Sequence, residues 1–296
     1  MKKLVFAVLA LGLLGLQAQP FPPQQPPQQP PYPQQGYPQP QGGPAMMAPQ
    51  QLDQLVARVA LYPDPLLAQV LTAATFYNQI PDAAGWANQH GNLTGPQLAQ
   101  AIQEDNLPWD PSVLALLPFP STLNMMAGDM NWTQALGNAV LAQRNDVMDA
   151  VQRQRQLAYN YGYLQTNPYE RVVAEPGYIQ VLPVNDLYIY PPIYDPFIVF
   201  VRPRPGFFIG GAIRFGPAVT IGAFLPFGWR GPYFDWRAHN IIIDNRPWGR
   251  TWVNRQEYAH PYFERRAPIA GPRVERHEVR PATPARGGRE QRGERH

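Results

Sequence analysis

The chain lacks cysteine altogether and has very little serine. With no cysteine among 296 residues, disulfides, thiolate metal sites, cysteine nucleophiles and a cysteine-linked lipid anchor are excluded. The only serines, Ser112 and Ser121, lie at predicted helix starts, where a hydroxyl caps free backbone N–H groups. No Gly-x-Ser-x-Gly motif surrounds either of them. These absences argue against a serine or cysteine hydrolase.

Lysine is almost as scarce, since Lys2 and Lys3 are the only two. They belong to an export segment that we expect to be removed, which leaves 22 arginines against 21 acidic residues. The nearly neutral product argues against a specific nucleic-acid partner. Walker and Gly-x-Gly-x-x-Gly motifs are missing, and no histidines have metal-ligand spacing. We therefore expect no nucleotide, no other cofactor and no metal.

The N-terminus has the pattern of a secretory signal peptide. Two lysines precede an apolar run from Leu4 to Leu16, and Ala18 is the small residue before the expected cleavage. The run of 13 residues is too short to cross a bilayer as a helix. We predict an exported protein that begins near Gln19 and resides in the periplasm, the cell envelope or the extracellular space.

Composition then divides the rest of the chain. An uncharged stretch of Pro and Gln is followed by apolar residues at helical spacing. Asp64-Pro65 and Asp110-Pro111 are each predicted to be an N-cap followed by proline at the first helical position. After Tyr163 the apolar period becomes two, with turns at Pro176-Gly177 and Gly216-Pro217. The predicted organisation is a signal peptide at 1–18, a disordered Pro/Gln-rich linker at 19–51, an all-helical domain of short helices at 52–165, a β-rich Gly/Pro/aromatic region at 166–263 and a disordered Arg-rich tail at 264–296.

These patterns predict an α+β fold, with a multi-helix domain followed by a small antiparallel β region. The turn at Pro176-Gly177 predicts one hairpin. Alternation on both sides of Gly216-Pro217 predicts a second hairpin, over 207–225.

Aromatic and arginine side chains are the best candidates for ligand contacts. Three tryptophans recur in the helical segment and could line a groove that binds sugar rings, although core packing is the commoner role of such residues. These are Trp86, Trp109 and Trp132. A second group could contact an anion or a glycan through stacking and ion pairing. It consists of Trp236, Trp248, Trp252, Arg246 and Arg250.

Two alternatives carry different chemistry. Glu104, Asp105 and Asp110 lie beside Trp109 and could form the carboxylate pair of a cell-wall glycan hydrolase. Helix capping by Asp110 and a solvated helix end explain the same residues without catalysis. Separately, Gly206-Trp229 is long enough to enter a membrane, which would suit a membrane-associated assembly factor, although its alternation favours strands.

Several blocks of sequence resemble a known bacterial family. They are Ala60-Leu61-Tyr62-Pro63-Asp64-Pro65-Leu66-Leu67, Pro108-Trp109-Asp110-Pro111, Asn131-Trp132-Thr133 and Asp146-Val147-Met148-Asp149-Ala150-Val151. In this order they resemble domain-of-unknown-function family 3300 over roughly residues 52–196. The resemblance implies export and a helical domain, and it supplies no activity and no catalytic residues.

The sequence therefore favours a non-enzymatic binding or structural role at the cell envelope. The expected partner is a cell-wall glycan or another envelope protein, and peripheral membrane association is a further option. No catalytic residue is assigned.

Overall fold

The structure is a computed structural model that describes residues 43–204 and 210–260. The predicted signal peptide, residues 19–42 of the predicted linker and the whole predicted tail lie outside the described residues. The described part belongs to one compact unit.

The described residues form eight α-helices, and seven of them have proline at the first or second helical position, where its fixed φ and missing N–H suit the first turn. The first one starts inside the predicted linker. Their bounds are α1 Pro49–Val56, α2 Asp64–Ala74, α3 Ile80–Gln89, α4 Gly95–Glu104, α5 Pro111–Leu114, α6 Pro120–Gly128, α7 Met130–Asn160 and α8 Pro196–Val199. Two 3-10 helices cover Tyr77–Gln79 and Gly222–Phe227.

The two Asp-Pro pairs behave differently. Asp110 caps α5 as expected, because its Oδ1 accepts hydrogen bonds from the Ser112 backbone N–H and hydroxyl at 2.9 and 2.5 Å. Asp64 does not cap α2, since the helix has no side-chain cap. Its carboxylate is instead buried and contacts residues far along the chain. The expectation of a cap at Asp64 was therefore wrong.

The two longest helices approach each other closely. All residues of α2 are buried, and α7 crosses it at Gly137. A Cβ added to Gly137 would lie 2.0 Å from the Ala74 carbonyl oxygen. Because the obstacle is backbone, only glycine allows this approach.

The described residues contain nine short strands, all after α7 and with α8 between β4 and β5, and all their pairings are antiparallel. The α+β fold class is thereby confirmed. Their bounds are β1 Glu170–Glu175, β2 Tyr178–Pro183, β3 Tyr188–Ile189, β4 Pro192–Tyr194, β5 Ile213–Phe215, β6 Val219–Thr220, β7 Phe234–Asp235, β8 Asn240–Ile243 and β9 Arg246–Pro247.

One of the two predicted hairpins is confirmed. β1 and β2 pair across Pro176-Gly177, with Glu175 opposite Tyr178. The hairpin predicted over 207–225 was wrong, because β5 pairs with β4 and β6 pairs with β3. The upstream strands supply hydrogen-bond partners to both arms, so the arms do not pair with each other.

Helices and strands share one hydrophobic core. Aromatic side chains from the C-terminal strands belong to the same buried cluster as the apolar faces of α1 to α7. Trp229, which lies between the second 3-10 helix and β7, joins the same cluster; it is 1% exposed and donates its Nε1–H to the Ala115 carbonyl at 3.0 Å. A smaller second cluster lies between the end of α7, β2 and α8.

A buried ion pair joins these elements. Asp64 at the start of α2 and Arg155 in α7 are 1% and 0% exposed, and their charged groups are 2.7 Å apart. The other Asp64 oxygen accepts the Trp236 Nε1–H at 3.1 Å. Burial raises the pKa of the Asp64 carboxyl, and the Arg155 charge acts in the opposite direction.

The remaining donors of Arg155 bind backbone carbonyls. Nε donates to Ala60 at 2.8 Å, Nη2 to Tyr62 at 2.9 Å and Nη1 to Ile179 at 2.8 Å. One guanidinium therefore ties the loop before α2 to strand β2.

Replacing Arg155 should destabilise the fold strongly. Arg155→Gln leaves the buried Asp64 carboxylate without a counter-charge, so we expect a loss of about 3–5 kcal/mol in the free energy of unfolding. Arg153→Gln is the matched control, because Arg153 pairs with Asp53 at the surface, where such pairs contribute less than about 1 kcal/mol. Urea denaturation measures both variants. Equal losses would contradict a central role for the buried pair.

Two glycine-to-alanine substitutions should change the free energy of unfolding in opposite directions. Gly137→Ala forces α7 away from α2 and should destabilise by about 1–3 kcal/mol. Gly85→Ala lies in the middle of α3 with nothing within 4 Å of the added Cβ, so the helix preference of alanine should stabilise by about 0.5–1 kcal/mol. Thermal unfolding compares the two. A neutral or stabilising Gly137→Ala would contradict the close crossing.

Candidate functional site

A surface cleft of about 280 Å³ lies between α7, the β1–β2 hairpin and the connection from β7 to β8. Its volume is at the lower end of small-ligand sites. Helix α7, the β1–β2 turn and the β7–β8 connection contribute the walls. The lining residues are Met148, Asp149, Gln152, Pro176, Gly177, Tyr178, Trp236, Arg237 and His239.

An acid and a histidine pair at the edge of this cleft. Nε2 of His239 lies 2.8 Å from Oδ1 of Asp149. His239 has a φ of 53°, a left-handed conformation that a tight connection between two strands can impose. The pair holds the imidazole ring in one orientation.

An aromatic ring at the start of β2 and a cation in the β7–β8 connection also line the cleft. The guanidinium carbon of Arg237 lies 5.6 Å from the ring centroid of Tyr178, close enough for a cation–π interaction. Both side chains remain accessible, with Arg237 exposed and Tyr178 half-buried. Tyr178 and Arg237 therefore offer a flat aromatic ring and a planar guanidinium donor side by side.

The floor of the cleft is held rigidly. Trp236 is 6% exposed and stacks on Phe234 with ring centroids 4.2 Å apart. Gln152 uses both ends of its amide on strand β2, accepting from the Ile179 N–H at 2.7 Å and donating to its carbonyl at 3.2 Å. Trp236 and Ile179 also contact the Asp64–Arg155 pair. The cleft thus rests directly on the buried ion pair.

The chemistry of the lining suits a polar ligand. The Asp149–His239 pair resembles the acid and the base of a catalytic triad, which also needs a nucleophile. The lining contains no aliphatic hydroxyl, thiol or amine to serve as the nucleophile. What it does offer are hydrogen-bond donors, acceptors, both charge signs and an aromatic face.

A second buried acid lies at the start of β1. Glu170 is 2% exposed, and its Oε2 has no hydrogen-bond partner among the described residues. Burial raises the pKa of Glu170 to about 8, opposed by the charge of Arg155 and a hydrogen bond from Asn167. This carboxyl is therefore protonated in the folded protein at neutral pH.

The three predicted groove tryptophans lie outside the cleft. Trp132 is 8% exposed and donates its Nε1–H to the Leu55 carbonyl at 2.8 Å. Trp86 is half-buried, stacks on His90 and donates to Asp105 at 2.6 Å. Trp109 is half-buried and packs against the core. Whether the three form a ligand groove stays a prediction.

Only one member of the predicted anion or glycan group lines the cleft, namely Trp236. Trp248 is 1% exposed, with the Arg144 guanidinium 4.8 Å from its ring centroid. Arg250 donates to the Thr75 carbonyl at 2.6 Å and lies over the ring of Phe76.

The other two members lie elsewhere on the C-terminal segment. Arg246 is exposed in β9, opposite Ile243. Trp252 is half-buried, and its backbone N–H donates to the Leu141 carbonyl at 2.9 Å. Trp252 and Arg250 thus attach the C-terminal segment to the helices.

The three candidate acids are engaged locally. Glu104 accepts from Gln100 at 2.7 Å, and Asp105 accepts from Trp86. Asp110 caps α5, and burial raises its pKa to about 6. None of them lines the cleft described above. A hydrolase built on these acids stays a prediction.

The segment Gly206-Trp229 contains no described helix that could span a bilayer. Residues 206–209 lie outside the described residues, and the rest forms β5, β6 and a 3-10 helix. Phe224 and Trp229 point into the protein core, being 1% exposed each. In the described part of the chain, no helix has both the length and the apolarity to cross a membrane.

Sequence reasoning missed most of the cleft. Asp149 lies in a block that resembles the family but has no assigned role there, and Arg237 and His239 belong to no motif. The paired Asp149 and His239 are 90 positions apart in the sequence. In the described ranges, no three His, Asp or Glu side chains are grouped in a way that could hold a metal ion.

Comparison with known proteins adds a family but no activity. The family model described as "Protein of unknown function (DUF3300)" matches residues 48–264. The "Uncharacterized protein YacH" of Escherichia coli strain K12 is 44% identical over 123 residues, which cover 42% of this chain and 20% of that protein. The match thus spans about a fifth of that relative's length. No solved structure matches significantly.

The raised pKa of Glu170 predicts a specific pH dependence of stability. From about pH 4.5 to about pH 8, the carboxyl is ionised in the unfolded chain but protonated in the folded protein. The unfolded state then binds fewer protons, so stability falls as pH rises through this window. Glu170→Gln removes this titration, and the variant should gain stability relative to the wild type as pH rises.

Urea denaturation at the two ends of the window tests this. Glu175→Gln, at an exposed position of the same strand, is the matched control. The prediction would be contradicted if the difference in the free energy of unfolding between Glu170→Gln and the wild type were the same at both pH values.

Proposed function

The chain belongs to the DUF3300 family of proteins of unknown function, and we propose that it is a non-enzymatic envelope protein that binds a cell-wall glycan in the cleft beside α7. The observation that carries this proposal is the lining of the cleft. An aromatic ring, a guanidinium, a carboxylate and an imidazole converge there on about 280 Å³. The predicted export signal supports a partner outside the cytoplasm.

Each wall of the cleft matches a feature of a sugar polymer. Hydroxyl groups of a sugar need both donors and acceptors, which Arg237 and the Asp149–His239 pair supply. The apolar face of a sugar ring packs against an aromatic ring such as Tyr178. Carboxylates on wall glycans or their peptide stems would form ion pairs with the Arg237 guanidinium.

Rigidity of the floor also supports binding. Trp236 and Gln152 are fixed by hydrogen bonds to Asp64 and to strand β2. A preformed site loses little conformational entropy when it takes a ligand. The open rim would leave room for a polymer to continue beyond the bound unit.

A sedimentation assay with purified cell-wall glycan tests the proposal, using the mature chain from Gln19. Tyr178→Ala and Asp149→Asn should each weaken binding by about tenfold, the effect of losing one strong contact. Asp146→Asn is the matched control, because Asp146 is an exposed acid on the same helix outside the cleft. Undiminished recovery of both cleft variants would overturn the proposal.

Two further readouts separate the alternatives. Trp86→Ala tests the groove in the helical segment, since Trp86 is half-buried while Trp132 is core. If Trp86→Ala loses glycan binding while the two cleft variants keep it, the binding site is the groove in the helical segment. Release of soluble fragments from the glycan, abolished by Glu104→Gln, would favour the hydrolase instead.

A further inference from the structure

Exposed apolar side chains are concentrated in one stretch of the chain. Seven of the ten large apolar side chains that are exposed among the described residues lie between residues 184 and 201. Single exposed apolar residues are ordinary on protein surfaces, but a concentration marks an interaction surface. None of the residues that line the cleft lies in this stretch.

Its most exposed part is the corner formed by α8. Asp195 caps this short helix by accepting the Phe197 N–H at 2.8 Å. Val199 is fully buried in the smaller hydrophobic cluster and anchors the corner. The side chains of Phe197, Ile198 and Val201 are left 87%, 49% and 56% exposed.

Cationic side chains flank these apolar groups. Arg202 and Arg204 are exposed and line the same open pocket as Phe197, Ile198 and Val201. We name these five residues the α8 corner. On the neighbouring sheet, exposed Arg214 of β5 pairs in register with exposed Ile193 of β4.

The charge of this stretch is predominantly positive. From residue 193 to residue 214 the sequence contains three arginines and a single acid, Asp195. That acid is engaged as the cap of α8. An apolar protrusion within an arginine-rich surface complements an anionic lipid bilayer, whose phosphates pair with guanidinium and whose acyl region takes up the apolar side chains.

We propose that the α8 corner docks the protein peripherally on anionic membrane surfaces. Phe197 and Ile198 enter the boundary between headgroups and acyl chains, and Arg202 and Arg204 bind the phosphates. This surface shares no residue with the glycan cleft. It also differs from the alternative membrane segment Gly206-Trp229, because its residues precede that segment.

Vesicle sedimentation of the mature chain from Gln19 tests the proposal, since the predicted signal peptide would itself bind lipid. The wild type should bind vesicles of phosphatidylcholine and phosphatidylglycerol in equal parts more tightly than vesicles of phosphatidylcholine alone. Added salt should weaken the binding. Arg202→Gln with Arg204→Gln should reduce it by roughly 30-fold, since each basic side chain near an anionic surface contributes roughly fivefold.

Removing the apolar half should also abolish most of the binding. Phe197→Ser with Ile198→Ser is the test variant, and Val253→Ser is the matched control at an apolar side chain that is 88% exposed outside the corner. Circular dichroism should be the same for all variants, because the substituted side chains are exposed. Tyr178→Ala should bind vesicles as the wild type does, which separates this proposal from the glycan site.

Three results would overturn the proposal. The first is no preference of the wild type for anionic vesicles. The second is an equal loss for Val253→Ser and the Phe197–Ile198 double variant. The third is a concentration-dependent dimer of the wild type that binds no vesicles and that the double variant dissociates, which would make the corner a contact between two copies of the chain.

Discussion

The structure depends on the buried pair of Asp64 and Arg155. One carboxylate and one guanidinium connect the start of α2, the last third of α7 and strand β2, and Trp236 adds the C-terminal strands. A buried ion pair is stabilising only when its remaining hydrogen-bonding groups are satisfied, and here backbone carbonyls satisfy the guanidinium. The pair therefore links helices and strands through directional contacts, which apolar packing alone does not supply.

The cleft follows from that arrangement. Its floor consists of Trp236 and Gln152, which bind Asp64 and the backbone of Ile179, so the same contacts that close the core also set the positions of the floor. The rim is built on shorter, more exposed segments, where His239 and Asp149 hold each other. A rigid floor with a polar rim is the usual design of a binding site, because the core supplies the precision and the rim supplies the chemistry.

Local chemistry was predictable from the sequence, and long-range contacts were not. The cap at Asp110 and the β1–β2 hairpin were correctly predicted because their partners are a few residues away. The same Asp-Pro signal failed at Asp64, whose partner is 91 residues distant. Arg155 left a trace, because with Val147, Val151 and Ala158 it falls on one helical stripe at spacings of four, four and three. Charge on an apolar stripe indicates a buried partner without identifying it. Nothing in the sequence connected Asp149 with His239.

Strand β2 couples the two proposed surfaces. The backbone of Ile179 supports the cleft through Gln152, while its side chain packs in the smaller cluster that also contains Val199 of α8. The cleft and the α8 corner are thus attached to one strand through buried contacts, and buried close-packed groups move little relative to each other. A bilayer that holds the corner would consequently hold the cleft at a fixed distance and orientation. The two proposed roles, glycan binding and membrane docking, are then compatible, since the two surfaces share no residue.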